Sequence, residues 1–594
     1  MRASLIALAF VLATCSVLAT EYHVAIDGSD GNAGSASQPF KTISAAAQVA
    51  HPGDIVTVHK GVYRERVNPA RGGSSENQRI VYRAAPGEDV VLKGSEIVKG
   101  WVRVKGDTWK VTRPNSFFGD YNPYKDVIGG EWYKQRGFPR HTGTVYLNGT
   151  WMDEAPNRMR VLGPTPARPL WYGEINEETT IWAQFKGVDP NEETVEINVR
   201  QSVFYPDQPG RNFITVRGFT MRHAATPWAG AMSEQIGLLG THWSKGWIIE
   251  DNVISHSVCT GITLGLPASK EPMPKADAAG YVEYIRMALR NGWSRETIGS
   301  HTVRNNHISH CEKNGIHGSL GGIFSVITGN TIHDIGTRGW LDGADLAGLK
   351  LLASTDSFIA NNHIYRCRGP AKASVKGIWL DWMAQGARVT GNLLHDNERD
   401  LYVEVSHGPT LVDNNLLLSE NALKDWAQGL AVVHNLIAGQ VEYRTVEKRR
   451  TPWFSAHSLK DMKLANILLK DARFYNNLLG AEDPLAPYRA SGQLEAAGNA
   501  PFDRKDISLE KRQDGWWLSF RPDPAWADIT RPLVTTELLG KARITGQPFL
   551  QPDGSPYRID RDYFGRKRPD ANPAPGPFRI PGNEKVSFKV WPRK

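Results

Sequence analysis

Two acidic residues, Asp381 and Glu404, lie in segments of similar pattern, Gly-Ile-Trp-Leu-Asp-Trp (377–382) and Leu-Tyr-Val-Glu-Val-Ser-His (401–407). Paired carboxyl groups are the apparatus of glycoside hydrolysis, in which one group serves as acid and base and the other as nucleophile or as base. That chemistry requires both groups to face one site. The elements that position Asp381 and Glu404 therefore decide whether the pair can react.

A recurring asparagine predicts those elements. Apolar residues lead into an asparagine and more follow it in eight segments, whose marker residues are Asn252, Asn306, Asn330, Asn362, Asn392, Asn415, Asn435 and Asn477. The steps between markers are 54, 24, 32, 30, 23, 20 and 42 residues, so the basic unit has roughly 20 to 24 residues. Short β-branched repeats of this size predict the stacked coils of a parallel β-helix, with an asparagine ladder at one corner.

The spacing also predicts where the two acids lie. Asp381 precedes Asn392 by 392 − 381 = 11 residues, and Glu404 precedes Asn415 by 415 − 404 = 11, so both occupy one column on adjacent coils. Adjacent strands lie about 4.7 to 4.9 Å apart. Retaining glycosidases need carboxyl groups about 5 to 5.5 Å apart, and inverting enzymes about 6.5 to 9.5 Å. The column therefore favours a retaining mechanism.

Other residues are candidates for the same site. Trp379 and Trp382 offer apolar planes suited to sugar faces, although alternation requires one of these neighbouring positions to point into the core. By the count of 11, Ser319, Leu351 and Lys424 also fall in the catalytic column, and Lys350 lies one step out of it. His407 could hold a sugar hydroxyl or orient Glu404, but a turn-capping histidine fits the sequence equally well.

Two long motifs, residues 377–388 (Gly-Ile-Trp-Leu-Asp-Trp-Met-Ala-Gln-Gly-Ala-Arg) and 397–409 (Asn-Glu-Arg-Asp-Leu-Tyr-Val-Glu-Val-Ser-His-Gly-Pro), closely resemble the β-xylosidases of glycoside hydrolase family 120. The likeness continues in residues 21–25, 114–119, 223–229, 243–252 and 291–294. It implies a right-handed parallel β-helix and an exo-acting retaining enzyme, with Asp381 as nucleophile and Glu404 as acid/base. Trp228 and His457 lie in family-like strings and are weaker candidates for substrate contact.

This chain departs from the family pattern at two places near the predicted site. Where the family has Gly-His-Glu, this chain has Gly343, Ala344 and Asp345, and where it has His-Leu-Gly-Gly, this chain has Ser-Leu-Gly-Gly from Ser319. We expect Asp345 and Ser319 to line the sugar pocket. The resemblance makes a β-xyloside the leading substrate. The two departures leave another plant or algal glycan sugar as an alternative.

The chain is predicted to have five parts. Residues 1–20 form a signal peptide, 21–96 an N-terminal cap with the first coils, 97–205 an inserted antiparallel β-sandwich, 206–545 the catalytic β-helix and 546–594 an extended C-terminal tail. The insertion is predicted because the marker repeat disappears and alternating strands replace it. Residues 42–50 predict a short helix capping the open end of the solenoid. The overall class is all-β.

Composition limits the partners. The formal charge of +8 is spread over mixed charges, with no basic run longer than Lys448 to Arg450, which argues against nucleic-acid binding. The apolar run from Leu5 to Leu12 and the small residues before Glu21 predict export to the periplasm or medium. No later segment has the roughly 20 consecutive apolar residues that a membrane-spanning helix needs. We expect an oligosaccharide substrate, no required cofactor or metal, and a structure compatible with a homo-oligomer. The loop 27–32 could bind calcium, although an ordinary turn fits this sequence better.

Two rival functions fit the same fold. A polysaccharide lyase would need a cationic base, for which Lys350 or Arg388 could serve, and usually calcium near acidic sugars. A noncatalytic glycan-binding solenoid would keep the ladder and the aromatic residues without needing the acids. Like charges directly opposite each other across strands are destabilising, so a stacked acid pair argues for catalysis against both rivals.

Overall fold

The computed structural model describes residues 19–369, 375–444, 447–468, 471–480, 483–491, 494–580, 582 and 584–593. The predicted signal peptide lies almost entirely outside these residues. The predicted all-β class, a parallel β-helix with an inserted β-sandwich, is confirmed. No helix of the described residues is long and apolar enough to cross a membrane.

Three parallel sheets form the β-helix. Sheet I has 13 strands: Glu21–Val24, Ile55–Val58, Ile80–Ala84, Ile214–Arg217, Ile248–Glu250, Thr302–Arg304, Val326–Thr328, Phe358–Ala360, Arg388–Thr390, Thr410–Asp413, Leu430–Val433, Ala472–Tyr475 and Leu494–Ala497. Sheet II has 12: Gly61–Tyr63, Val90–Lys93, Thr220–Ala224, Val253–Ser257, His307–Cys311, Thr331–Ile335, His363–Cys367, Leu393–His395, Leu416–Leu417, Leu436–Ile437, Leu478–Leu479 and Ala500–Pro501. Sheet III has eight: Leu239–Gly240, Thr260–Thr263, Asn314–Ser319, Ala347–Leu352, Lys376–Asp381, Arg399–Glu404, Asn421–Trp426 and Gln440–Tyr443.

Stacked apolar residues form the core between the three sheets. In sheet I, Ile359, Val389 and Val412 are direct register partners on successive coils, and all three are fully buried. Burial of apolar surface at each level is the main stabilising contribution, and it is available only when coils stack. The solenoid therefore holds its strands in fixed register.

The predicted asparagine ladder lies at the turn between sheets I and II. The amide of Asn362 donates to Oδ1 of Asn392 at 3.0 Å, and the amide of Asn392 donates to Oδ1 of Asn415 at 2.9 Å. The residue before each marker takes the left-handed conformation, with φ of 54° at Asn361 and 55° at Asn414. The residue before each marker thus makes the backbone bend, and the marker asparagine makes the hydrogen bonds between coils.

Replacement of a ladder residue should destabilise the whole solenoid. Asn392 is fully buried and also donates to the carbonyl of Ile359 at 3.0 Å. Asn392→Ala should lower the free energy of unfolding by about 1 to 3 kcal/mol, because Asn362 loses an acceptor and Asn415 a donor in a dry interior. Urea-induced unfolding followed by circular dichroism measures this change. Coincident curves for the variant and the wild type would contradict a stabilising ladder.

Two small sheets inserted after the first coils form the β-sandwich. One contains Ser95–Ile97, Val145–Leu147, Thr150–Trp151 and Val195–Asn198, and the other contains Val102–Lys105, Thr108–Pro114, Asp153–Glu154, Leu170–Ile175 and Glu178–Gln184. Val145, Ile197, Val111 and Trp171 from the two sheets share one buried cluster. The insertion therefore has a core of its own.

The remaining elements differ in part from the predicted organisation. The α-helices are Ile43–Val49, Arg158–Val161, Ala278–Arg290, Ala486–Ala490 and Thr536–Leu539, and short 3₁₀ turns span Asn115–Phe118, Arg504–Asp506 and Pro524–Asp528. The first is the predicted cap, but Ala278–Arg290 was not predicted, because it interrupts the solenoid between two marker residues.

The C-terminal part also departs from prediction. Solenoid pairing ends at Ala500–Pro501, well before residue 545. Val586–Trp591, in the predicted extended tail, pairs with Gly515–Phe520, which also pairs with Ser508–Arg512 in a three-stranded sheet. Alternating apolar residues that pack on the outside of the coils explain this strand. A last two-stranded sheet contains Arg450–Trp453 and Lys463–Asn466.

The loop considered for calcium is held by internal hydrogen bonds. Asp30 accepts the backbone N–H of Lys41 at 2.9 Å and of Thr42 at 2.8 Å, next to the capping helix. Among the described residues, no group of three or more His, Cys, Asp and Glu side chains is placed to hold a metal ion.

Candidate active site

The two acids are direct register partners in sheet III. Asp381 ends the strand Lys376–Asp381, Glu404 ends the strand Arg399–Glu404, and the two residues lie opposite each other. Both line one cavity of about 380 Å³, and they are 7% and 6% exposed. The side-by-side position that the repeat count predicts is therefore present, at the spacing of neighbouring strands.

The count fails on the preceding coil. Ser319 lies opposite Leu352, and Leu352 lies opposite Asp381, so Leu352 and not Leu351 occupies the column. Leu352 precedes its marker Asn362 by 362 − 352 = 10 residues, because the turn from sheet III to sheet I is one residue shorter there. A fixed count works only where this turn keeps its length.

The same correction applies after Glu404. Trp426 is the register partner of Glu404, whereas Lys424 lies opposite Tyr402. Lys424 nevertheless lines the cavity, and its Nζ lies 2.9 Å from a carboxylate oxygen of Glu442. Its charge is therefore balanced within the neighbouring coil.

Lys350 joins two carboxylates. Its Nζ lies 3.0 Å from Oδ2 of Asp381 and is also paired with Asp345. Burial opposes ionisation of Asp345, but Lys350 and Lys313 outweigh burial and lower the pKa of Asp345 to about 2. Burial raises the pKa of Asp381 to about 6; Lys350 opposes this shift and Glu404 adds to it. Asp381 is therefore mainly ionised at pH 7.

Glu404 has a cation of its own. Arg449 Nη2 lies 2.7 Å from Oε1 of Glu404 and 2.7 Å from Oε2 of Glu447. Arg449 follows sheet III in a segment without marker asparagines, so the repeat carries no signal for it. Each acid of the pair thus contacts one cation that a second carboxylate shares.

Aromatic side chains form much of the cavity wall. Trp379 stacks on Tyr402 with ring centroids 5.1 Å apart, and Trp382 meets Tyr281 edge to face at 5.0 Å. Trp379 and Trp382 both line the cavity, although they differ by three positions, because Trp382 follows the strand end in a left-handed conformation with φ of 55°. Both predicted tryptophans therefore face the site.

Two elements outside the repeat complete the wall. Tyr281 comes from the helix Ala278–Arg290, and Trp132 comes from the insertion. The backbone carbonyl of Trp132 accepts the N–H of Ala344 at 3.1 Å, so the insertion is tied to the loop that carries Asp345. These contacts join segments far apart in sequence, and no local pattern indicates them.

Two predicted histidines lie away from the cavity. His407 is buried between the carbonyl of Thr451 at 3.0 Å and the amide of Gln428 at 2.7 Å, and burial lowers its pKa to about 4. Nδ1 of His457 lies 3.0 Å from Asp356. Both residues hold surrounding segments together, and neither lines the cavity that contains Asp381.

Trp228 and Ser319 lie behind the cavity wall. Trp228 is buried, and its indole N–H donates to the carbonyl of Glu131 at 2.9 Å. Ser319 is fully buried and donates to the carbonyl of Ala231 at 2.5 Å. The expectation that they contact substrate directly is therefore not supported by their positions. Two other predicted residues, Asp345 and Lys350, do line the cavity.

Comparison with known families agrees with this arrangement. The model described as "Glycoside hydrolase 120, insertion domain" matches residues 98–169, "Right handed beta helix region" matches residues 288–437, and "Protein of unknown function (DUF1565)" matches residues 26–69. The second match confirms the predicted handedness.

One solved structure is similar over nearly the whole chain. The structure of XylC in complex with xylose is 38% identical, covers 96% of this chain and 100% of its own, and has a TM-score of 0.90. A structure named only "Glycoside hydrolase" is 13% identical, covers 71% of this chain and 94% of its own, and has a TM-score of 0.46.

A curated relative, the uncharacterized protein YwoF of Bacillus subtilis (strain 168), is 31% identical over 75 residues, which are 13% of this chain and 16% of that protein. The chain therefore spans far less than two thirds of YwoF. The likeness to XylC covers 96% of this chain and the whole of XylC. Together with the matching insertion domain, it shows that this chain is a glycoside hydrolase and belongs to glycoside hydrolase family 120.

Proposed function

We propose that this protein is an exported, retaining, exo-acting β-xylosidase that releases xylose from the non-reducing ends of xylo-oligosaccharides. The observation that carries the mechanism is the register pairing of Asp381 with Glu404 in one cavity. Strand spacing suits direct attack by a carboxylate better than it suits a water seated between two acids. XylC, which is similar over the full chain, is known in complex with xylose.

Asp381 would act as the nucleophile. Contact with Lys350 at 3.0 Å favours its ionised form. Asp381 would attack the anomeric carbon and form a covalent glycosyl-enzyme, while protonated Glu404 gives its proton to the leaving oxygen. Glu404, now ionised, would take a proton from water, which then attacks the anomeric carbon and releases Asp381.

The size of the cavity supports exo action. Trp132 from the insertion and Tyr281 from the helix line the cavity. Its volume of about 380 Å³ is near the lower end of ligand sites, which span roughly 300 to 1,000 Å³. A cavity of this size suits a terminal sugar and its leaving group. A long chain passing through would require an open groove.

A panel of nitrophenyl glycosides tests this proposal. The β-xyloside should be the best substrate among β-xyloside, α-arabinofuranoside, β-glucoside and β-galactoside, and proton NMR should show β-xylose as the first-formed anomer, because two inversions retain configuration. First formation of α-xylose would exclude double displacement. Faster hydrolysis of another glycoside would keep the mechanism and change the sugar. Export is tested separately by locating the protein with and without residues 1–20.

A further inference from the structure

One cation that lines the cavity has no ion-pair partner among the described residues. Lys376 begins the strand that ends at Asp381, it is 6% exposed, and it lines the cavity. Among the described residues, its Nζ forms no ion pair and no hydrogen bond. The side chain is therefore mostly buried, and its ammonium group has no anion in direct contact among the described residues.

The other cations that line this cavity are all paired. Lys350 contacts Asp345 and Asp381, Lys424 lies 2.9 Å from Glu442, and Arg449 lies 2.7 Å from Glu404. Within the described part of the cavity, Lys376 is therefore the cation that is free to bind a negatively charged group of a ligand.

Aromatic contacts compensate Lys376 only in part. Its Nζ lies 3.9 Å from the centroid of Trp379 and 5.9 Å from that of Tyr402. Nζ of Lys350 lies 3.6 Å from the same Trp379 centroid, so two cations share one aromatic ring. A cation–π contact returns only a fraction of the cost of dehydrating an ammonium. Burial and then the charge of Lys350 lower the pKa of Lys376 to about 7, and the carboxylates of Glu404 and Glu398 offset this shift only in part.

The ring distances place Lys376 beside both acids, since its Nζ is nearest to Trp379 on the strand of Asp381. Lys376 and Lys424 lie on either side of Tyr402, at 5.9 and 5.2 Å from its ring. Tyr402 is two residues before Glu404 on the same strand and therefore points to the same face. In the proposed function the terminal sugar is an unsubstituted xylose, so a carboxylate that reaches Lys376 would belong to the departing part of the substrate.

We propose that Lys376 binds a carboxylate of the substrate, so that the enzyme prefers oligosaccharides carrying a uronic acid on the leaving-group side of the cleaved bond. This inference rests on the proposed function for the position of the cleaved bond. A sugar carboxylate would give Lys376 a charge-assisted hydrogen bond in a dry site, where such a bond is strong.

A charged substrate and its neutral ester test the inference. The substrates are a xylobiose with glucuronic acid on the reducing-end xylose, and the methyl ester of that uronic acid, which has the same shape without the charge. Wild type should have a kcat/KM for the acid about ten-fold above that for the ester, as expected for one hydrogen bond to a charged group. In Lys376→Met, the ratio of acid to ester should fall to about one.

Lys424→Met is the matched control, because it removes a cation of the same cavity that Glu442 already balances. It should keep most of the preference. An equal loss in both variants would show a diffuse positive field and overturn the role of Lys376, as would a wild type that hydrolyses acid and ester equally. Lys376→Met should fold, since it removes an uncompensated buried charge, and Lys376→Gln serves as a second neutral variant.

The two proposals can fail separately. A wild type that does not hydrolyse nitrophenyl β-xyloside refutes the proposed function alone. Calorimetric binding of the acid and the ester to wild type and Lys376→Met still tests Lys376 in that case. Tighter binding of the acid, lost in the variant, supports a carboxylate site, and equal binding in both proteins refutes it.

Discussion

Asp381→Asn should lower kcat on nitrophenyl β-xyloside by at least about 10⁴-fold, because loss of a nucleophile removes the covalent route. Glu404→Ala should behave differently. Its loss should be about 10² to 10⁴-fold on xylobiose, where the leaving sugar needs a proton, and far smaller for the first step on a dinitrophenyl xyloside, whose leaving group departs without one. Steady-state and burst kinetics on the two substrates measure this contrast.

Azide distinguishes the two acids further. A small anion can replace the missing base in Glu404→Ala and should yield β-xylosyl azide, with the configuration of the substrate retained. Glu442→Gln is the control: Glu442 is a partly exposed carboxylate paired with Lys424, and we expect only a small change. With the Asp381 variant, any azide product should be the α-anomer, because azide would there act in place of the nucleophile. Absence of an azide product from Glu404→Ala would contradict the role of Glu404 as base. Comparable losses on both substrates in Glu404→Ala would contradict its role as acid.

Lys350→Met should have the second largest effect. The variant leaves Asp345 and Asp381 buried without the cation they share, and loss of one partner of a buried ion pair costs about 3 to 5 kcal/mol. Lys350 also lowers the pKa of Asp381, so without it that pKa should rise above about 6. Activity near pH 6 to 7, which needs ionised Asp381, should fall more than activity at pH 8. Urea unfolding and a pH profile of kcat/KM measure the two effects.

The stability loss in Lys350→Met should itself depend on pH. A carboxyl group whose pKa is higher in the folded than in the unfolded protein binds more protons when folded, so its contribution to stability falls as pH rises through the folded-state pKa. The difference between variant and wild type should therefore be largest near pH 7 to 8 and smaller at pH 5. Lys424→Met is the control here as well, since Glu442 is half-exposed. Unchanged stability and an unshifted pH profile would show that Lys350 does not hold Asp381 ionised.

Much of the solenoid could be predicted from local pattern. Each coil repeats an apolar stretch and an asparagine, so register between coils is set by the marker rather than by distant contacts, as the bonds from Asn362 through Asn392 to Asn415 show. Asp381 and Glu404 have the same spacing to their markers, which is why their pairing could be read. The failures at Leu351 and Lys424 arise where the turn after sheet III changes length.

The candidates that lie away from the cavity show a second limit. His407 and Trp228 lie in strings that resemble family motifs, yet both are buried in contacts with other segments and neither reaches the cavity. A motif carries residues that hold the site together along with those that touch substrate. Sequence does not distinguish these roles, because they depend on which neighbours fill the space around the side chain.

By itself, the sequence determined the parallel β-helix, the asparagine ladder and the placement of Asp381 beside Glu404, because a parallel stack converts a repeat along the chain into neighbours in space. Only the tertiary structure decided what surrounds the pair. Four residues of the cavity, Trp132, Tyr281, Arg449 and Lys376, come from an insertion, a helix, a later loop and a strand start. Their positions depend on long-range packing, which has no period in the sequence.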